Sequence, residues 1–113
     1  MQQTPQDSTT LTILRVRIDQ AKAAYDDVCR LYSLEPTPKR EARMKDILAN
    51  LSNLKTLRLR YMAERRWIQT YERALADGVW QGKPIGETKR AELERGIRTS
   101  ESEIAEIEAE VRG

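Results

Sequence analysis

The longest unbroken helical pattern in the chain is residues 38–77, PKREARMKDILANLSNLKTLRLRYMAERRWIQTYERALAD. After Pro38 it contains neither glycine nor proline, and its apolar residues recur at steps of three and four. Such steps place an apolar stripe along one face of a helix. We therefore predict one long helix. Its stripe, with one charged member, is Met44, Ile47, Leu51, Leu54, Leu57, Tyr61, Glu64, Ile68, Tyr71 and Leu75.

Two successive steps of three, at Leu51, Leu54 and Leu57, interrupt the regular alternation in this stripe. A step of this kind locally overwinds a coiled coil. Strict continuation of the alternation would instead place charged residues in the stripe, which disfavours it. Those charged positions are Arg58, Arg65 and Glu72.

Breaks on either side of the long helix define two more helices. The segment LEPTP at 34–38 ends a first helix, with Thr37 as the N-cap of the second. The segment DGVWQGKPIGET at 77–88 contains three of the five glycines, and we predict that Thr88 caps the third helix. The predicted helices are near 9–34, 38–77 and 88–112, after a flexible N-terminal arm over 1–10.

The flanking helices have stripes of their own, at the spacing typical of a coiled-coil seam. These stripes are Leu11, Leu14, Ile18, Ala21, Tyr25, Val28 and Tyr32, and Leu93, Ile97, Ser100, Ile104, Ile107 and Val111. We predict an all-α fold, a single helical domain over 11–113. Three antiparallel helices pack in coiled-coil fashion around the long central one, with a very short β-hairpin between helices 2 and 3.

The stripes also predict which residues face each other. In an antiparallel pair of helices 2 and 3, Tyr61 lies level with Ile104, and the polar residues Glu64 and Ser100 fall in one layer. A polar layer of this kind can fix the register of a helix pair. Helix 1 pairs in the same way with the first part of helix 2, for example Tyr25 with Ile47.

The composition argues against an enzyme. The 113 residues include no histidine and one cysteine, Cys29, which removes the usual general base and the common metal ligands. The loop around Lys83 lacks the spacing of a phosphate-binding loop. We expect no catalytic residues, no cofactor, no metal and no small-molecule substrate. The polar start of the chain and the lack of a long apolar run predict neither a secretory signal nor a membrane partner.

The charge distribution allows two interpretations. Residues 37–77 carry ten basic and five acidic groups, whereas residues 87–113 carry five basic and eight acidic groups. The first interpretation is that the two helices attract each other, with Lys55 level with Glu110 and Arg58 level with Glu106. The second is a nucleic-acid-binding face, since aromatic residues interleave with the arginines. That candidate face is Arg58, Arg60, Arg65 and Arg66.

Several apolar side chains fall outside the stripes, and exposed apolar surface often marks a partner site or self-association. They are Ile13, Val16, Leu48, Leu59, Met62 and Trp67. A tighter bundle that buries them is the alternative. Trp80 and Ile85 either fold back onto Tyr71 and Leu75 or present Trp80 at an exposed tip as an interface anchor. The candidate partner-binding residues are Trp67, Trp80, Ile85, Arg66 and Arg98, of which the two arginines suit an acidic partner.

The segment 67–111 resembles a family of small phage proteins. A helix ending in Arg73-Ala74-Leu75-Ala76 is followed by a short hairpin, VWQGKPI at 79–85, and by Arg90-Ala91-Glu92-Leu93 opening a second amphipathic helix. This order is similar to small tailed-phage head–tail joining and neck proteins, although their hairpin is much longer. The resemblance implies a virion or assembly role and assigns no individual residue.

The sequence therefore favours a non-enzymatic structural or assembly protein, which binds protein partners, including copies of itself, through helical faces. Its expected location is the cytoplasm, or a virion if the resemblance holds. The alternatives are a small nucleic-acid-binding or regulatory protein that uses the basic face of helix 2, and a helical inhibitor or adaptor that docks into another protein's groove.

Overall fold

The computed structural model describes residues 5–113, with side chains from residue 9 onward. The fold is all-α, as predicted. Three helices, α1 (Pro5–Leu34), α2 (Pro38–Asp77) and α3 (Glu87–Arg112), are joined by a short turn and by a two-stranded antiparallel hairpin. The strands of that hairpin are β1 (Val79–Trp80) and β2 (Lys83–Pro84).

Contacts divide the chain into two compact units. The N-terminal unit ends at Arg58 and contains α1 and the first half of α2. The C-terminal unit is Leu59–Gly113 and contains the rest of α2, the hairpin and α3. The prediction of a single domain over 11–113 stays a prediction.

The helix ends follow the predicted boundaries with two differences. Thr37 caps α2 as expected, because its hydroxyl accepts a hydrogen bond from the Arg40 amide at 3.2 Å. The prediction that Thr88 caps α3 is wrong. Gly86 is the N-cap, in extended backbone and without a side-chain cap, and its carbonyl accepts the first helical bond from Arg90 at 2.9 Å. Thr88 therefore lies inside the first turn.

The second difference is the start of α1. It begins at Pro5 rather than near residue 9, and Thr10 is buried. Proline suits a first helical position because its fixed φ matches the helix and the amide hydrogen it lacks would have no partner there. The helix thus occupies part of the predicted N-terminal arm over 1–10. The rest of that arm, residues 1–4, lies outside the described residues.

In the N-terminal unit, the predicted stripes are the buried faces of the helices. Leu14 is fully buried, and the other buried stripe residues are Ile18, Ala21, Val28, Leu51, Leu54 and Leu57. Burial at both steps of three in α2 confirms that Leu51, Leu54 and Leu57 all belong to the stripe, since Arg58 is exposed. Tyr25 and Tyr32 of α1 line one small groove together with Met44 and Leu48 of α2, as the antiparallel register predicts.

Arg40, near the start of α2, forms hydrogen bonds with the end of α1. Its Nη1 donates hydrogen bonds of 2.8 Å to the carbonyl oxygens of Leu31 and Glu35, at the end of α1. The last carbonyls of a helix have no partner within the helix, and a cation there also interacts favourably with the helix dipole. One arginine of α2 therefore provides the C-terminal cap of α1.

In the C-terminal unit, α2 ends where the sequence predicts. Gly78 has a φ of 72°, and its amide bonds to the carbonyl of Ala74, a typical left-handed end of a helix. The hairpin then turns through Gln81 and Gly82, with φ angles of 52° and 80°. Two positive φ angles in a two-residue loop fit the strand twist. The turn returns the chain directly to α3.

The core of this unit is the predicted seam between α2 and α3. Tyr61 and Ile68 of α2 are buried, as are five of the six predicted stripe residues of α3. Those five are Leu93, Ser100, Ile104, Ile107 and Val111. Arg60 Nη2 contacts a carboxylate oxygen of Glu103 at 2.6 Å, one step from the predicted Tyr61/Ile104 layer. The register is therefore close to the one that the stripes predict.

Candidate protein-binding groove

An open groove of about 440 Å³ runs between the second half of α2 and the first half of α3, inside the C-terminal unit. We call it the aromatic groove. Its walls combine two aromatic rings with charged, hydroxyl and glycine positions. They are Glu64, Trp67 and Tyr71 from α2, and Glu92, Arg95, Gly96, Thr99 and Ser100 from α3.

Helical spacing explains why these residues meet. Glu64, Trp67 and Tyr71 follow one another at steps of three and four, so they lie on one face of α2. On α3 the lining residues are similarly one turn apart. Glu64 and Ser100, which the sequence predicts to share one polar layer, both line the groove.

The groove continues into a row of three aromatic rings. The Trp67 and Tyr71 rings stack with centroids 5.5 Å apart and planes 25° apart. The Tyr71 and Trp80 rings lie 5.8 Å apart at 50°. Both separations are favourable for aromatic pairs. The prediction that Trp80 folds back onto Tyr71 is confirmed, and Ile85 and Leu75 are half-buried in the same unit.

Trp67 is 49% exposed although its ring stacks on Tyr71. The stacking restricts the indole, while about half of the side chain stays accessible. Such a side chain is preorganised for contact, because it loses less side-chain entropy on binding. The sequence identified Trp67 as surplus apolar surface. It did not identify the stacking that fixes the ring.

Gly96 sets the depth of the groove. A Cβ atom at this position would lie 2.9 Å from Cε2 of Tyr71, closer than real contacts allow. Glycine in a helix interior is less favourable than alanine by about 1 kcal/mol. Here it lets the Tyr71 ring approach the α3 backbone directly. Gly96 was not predicted from the sequence, although an isolated glycine within a helical pattern is a signal of close approach.

The charges on the α3 wall satisfy one another. Lys89 Nζ donates a 2.7 Å hydrogen bond to Glu92, and that bond, with the positive charges of Lys89 and Arg95, lowers the pKa of the Glu92 carboxyl. On the α2 wall, Glu64 is half-buried. Among residues 9–113 the structure gives its carboxylate no ion pair.

The predicted arginine sites are distributed unevenly. Arg60 is engaged by Glu103 at 2.6 Å, which supports the interpretation that α2 and α3 attract each other. Arg66 and Arg98 are exposed in the C-terminal unit, and Arg65 is half-buried there. Arg58 is exposed and belongs to the N-terminal unit. None of these arginines lines the aromatic groove.

The rest of the described chain offers little other chemistry. Its Cys, Asp and Glu side chains form no group of three or more that could hold a metal ion. Cys29 is half-buried and free. Of the helices that the structure describes, none combines the length and the apolar character that crossing a bilayer requires.

The predicted surplus of apolar surface is present. Five of the six side chains that the sequence placed outside the stripes are more than 40% exposed, while Ile13 is half-buried. The exposed five are Val16, Leu48, Leu59, Met62 and Trp67. Comparison with family models, with curated proteins and with solved structures gave no match. The function is therefore argued from these surfaces and from the aromatic groove.

Proposed function

We propose that this chain is a non-enzymatic structural or assembly protein that binds protein partners, including copies of itself, through helical faces. The observation that carries the proposal is the exposed Trp67 ring, fixed by Tyr71 at the edge of the aromatic groove. Tryptophan is enriched among the few residues that contribute most of the binding energy at protein interfaces.

Two further exposed apolar residues lie on α2 outside the lining of the groove. Leu59 is 68% exposed and Met62 is 41% exposed, on the same helix and in the same unit as Trp67. Association that covers them removes apolar area from water, at about 25 cal/mol per Å² before the entropy of association is counted. Such contacts give binding that depends weakly on salt.

The setting that the resemblance implies is the assembly of a tailed-phage virion. The helix–hairpin–helix segment of the C-terminal unit carries this part of the proposal. On this proposal the chain acts in the cytoplasm of the infected cell or in the virion, as one part of a larger protein complex.

The absolute mass of the full chain tests the proposal. We expect light scattering after size exclusion to show a multimer of constant mass between about 50 and 500 mM salt, because screening barely affects apolar contacts. Replacing Trp67 by alanine should weaken association by roughly tenfold or more. The Glu72→Ala variant, exposed on the same helix outside the groove, should retain the wild-type mass. A wild-type monomer at both salt concentrations would contradict self-association.

A second candidate function is nucleic-acid binding, and the observation that favours it is the exposure of Arg66 and Arg58. In the described chain neither side chain has an ion pair, whereas Arg60 is occupied by Glu103. If the chain binds nucleic acid, its affinity for a labelled nucleic-acid duplex should fall steeply as the salt concentration rises, because counterions are released on binding. The third candidate, a helical inhibitor or adaptor, would dock a helical face into another protein's groove.

A further inference from the structure

We propose that the aromatic groove binds an arginine side chain of a partner protein, with its guanidinium held between the Trp67 ring and the Glu64 carboxylate. This inference rests on the proposed protein-binding function and names the chemistry that the groove recognises. It is carried by three features of the groove: an accessible fixed ring, an available carboxylate and a charge distribution that favours one wall.

The first feature is the ring. Trp67 stacks on Tyr71 and is 49% exposed, so indole surface remains open to a ligand. The face of an indole attracts cations, and tryptophan is the best of the aromatic residues in this respect. Because Tyr71 already fixes the ring, a cation that binds there does not have to order it.

The second feature is the carboxylate. Glu64 precedes Trp67 by three positions on α2, so both side chains lie on the same side of the helix and both line the groove. Glu64 is half-buried and has no ion pair among residues 9–113. A carboxylate that is partly removed from water gains more from an incoming cation than an exposed one does.

The third feature is the division of charge between the walls. On α3, Glu92 is already bonded to Lys89 and lies near Arg95, so this wall has no spare negative charge. Arg95 repels a cation that approaches the α3 side. The favourable position for a cation is therefore on the α2 wall, beside Glu64 and Trp67.

Arginine fits this position better than lysine. Its guanidinium is planar, stacks on aromatic rings and can donate two parallel hydrogen bonds to one carboxylate. A lysine ammonium is a compact and strongly hydrated charge, and it loses more hydration on entering a groove lined by rings. The groove is open to solvent and has a volume of about 440 Å³.

The test uses blocked amino acids as probes and the full-length chain. We expect acetyl-arginine methylamide to shift the indole N–H signal of Trp67 in NMR spectra in a saturable way, with the Trp80 signal assigned from a Trp80→Phe variant. The citrulline analogue has the same shape without the charge, and we expect it to bind roughly tenfold more weakly. The lysine analogue should also bind more weakly than arginine.

Variants locate the site. Glu64→Gln should reduce the arginine affinity about fivefold to tenfold, since it removes the charge and keeps the shape. Glu72→Gln, an exposed carboxylate outside the groove, should leave that affinity unchanged. If Glu64→Gln alters the circular dichroism spectrum, Trp67→Leu replaces it as the test variant, with loss of arginine binding read from a Tyr71 ring signal.

Three results would overturn the inference: citrulline binding as tightly as arginine, lysine binding as tightly as arginine, or full arginine affinity in the Glu64→Gln protein. The outcome of the light-scattering experiment does not depend on the outcome of the arginine titration. A stable multimer that ignores the arginine probe refutes the groove chemistry and leaves the assembly function standing. A monomer that binds the probe refutes self-association and leaves the groove chemistry standing.

Discussion

Replacing Ile107 by alanine is expected to lower the free energy of unfolding of the C-terminal unit by about 2–5 kcal/mol. The side chain is 1% exposed and lies between Ile104 and Val111 in the buried stripe of α3. Removing it leaves a cavity that rigid neighbouring helices fill only in part. Both tryptophans of the chain, Trp67 and Trp80, belong to this unit. Urea unfolding followed by tryptophan fluorescence therefore measures the effect directly.

The matched control is Leu59→Ala. Leu59 lies in the same unit and loses a comparable side chain, but it is 68% exposed. Its substitution should change the free energy of unfolding by less than about 0.5 kcal/mol. Equal effects of the two variants would show that the α3 stripe is not the core of the unit.

Replacing Tyr71 by alanine is expected to lower the free energy of unfolding of the same unit by about 2–3 kcal/mol. Its ring contacts Trp67 on one side and Trp80 on another, and it lies against the backbone at Gly96. The variant therefore loses two aromatic pairs and the attachment of the hairpin. The tryptophan emission should also shift to longer wavelength in the folded protein, as both indoles become more hydrated.

The control for this variant is Tyr71→Phe. It keeps the ring and removes only the hydroxyl, for which the structure shows no hydrogen bond among the described residues. We expect the free energy of unfolding to change by less than about 0.5 kcal/mol and the emission maximum to stay in place. A Phe variant as unstable as the Ala variant would mean that the hydroxyl, rather than the ring, stabilises the unit.

Much of the fold could be predicted because the chain is built from local signals. The spacing of apolar residues gave the buried faces of all three helices, including the two steps of three around Leu54. Thr37 and Gly78 marked helix ends because each acts on the backbone within four residues. The errors arose where two local signals compete. Gly86 and Thr88 can both begin α3, and the return of the chain from the hairpin decides in favour of Gly86.

Less of the aromatic groove could be predicted. Trp67 and the Glu64–Ser100 layer were visible as an apolar residue outside the stripe and as a polar break within it. The stacking of Trp67 on Tyr71 and the role of Gly96 depend on side-chain rotamers and on the distance between two helix backbones. The spacing of apolar residues carries no information on rotamers or on the distance between helix backbones. The groove therefore could not be predicted from the sequence.

The close approach at Gly96 also constrains how this protein can change over generations. Helix propensity alone favours alanine at position 96, yet a methyl group there meets the Tyr71 ring at 2.9 Å. The effect of a substitution at 96 therefore depends on the residue at 71, which makes the two positions epistatic. A side chain at 96 requires the Tyr71 ring to shift or to be lost. The tolerance of position 96 to substitution is thus tied to the placement of one aromatic ring on the neighbouring helix.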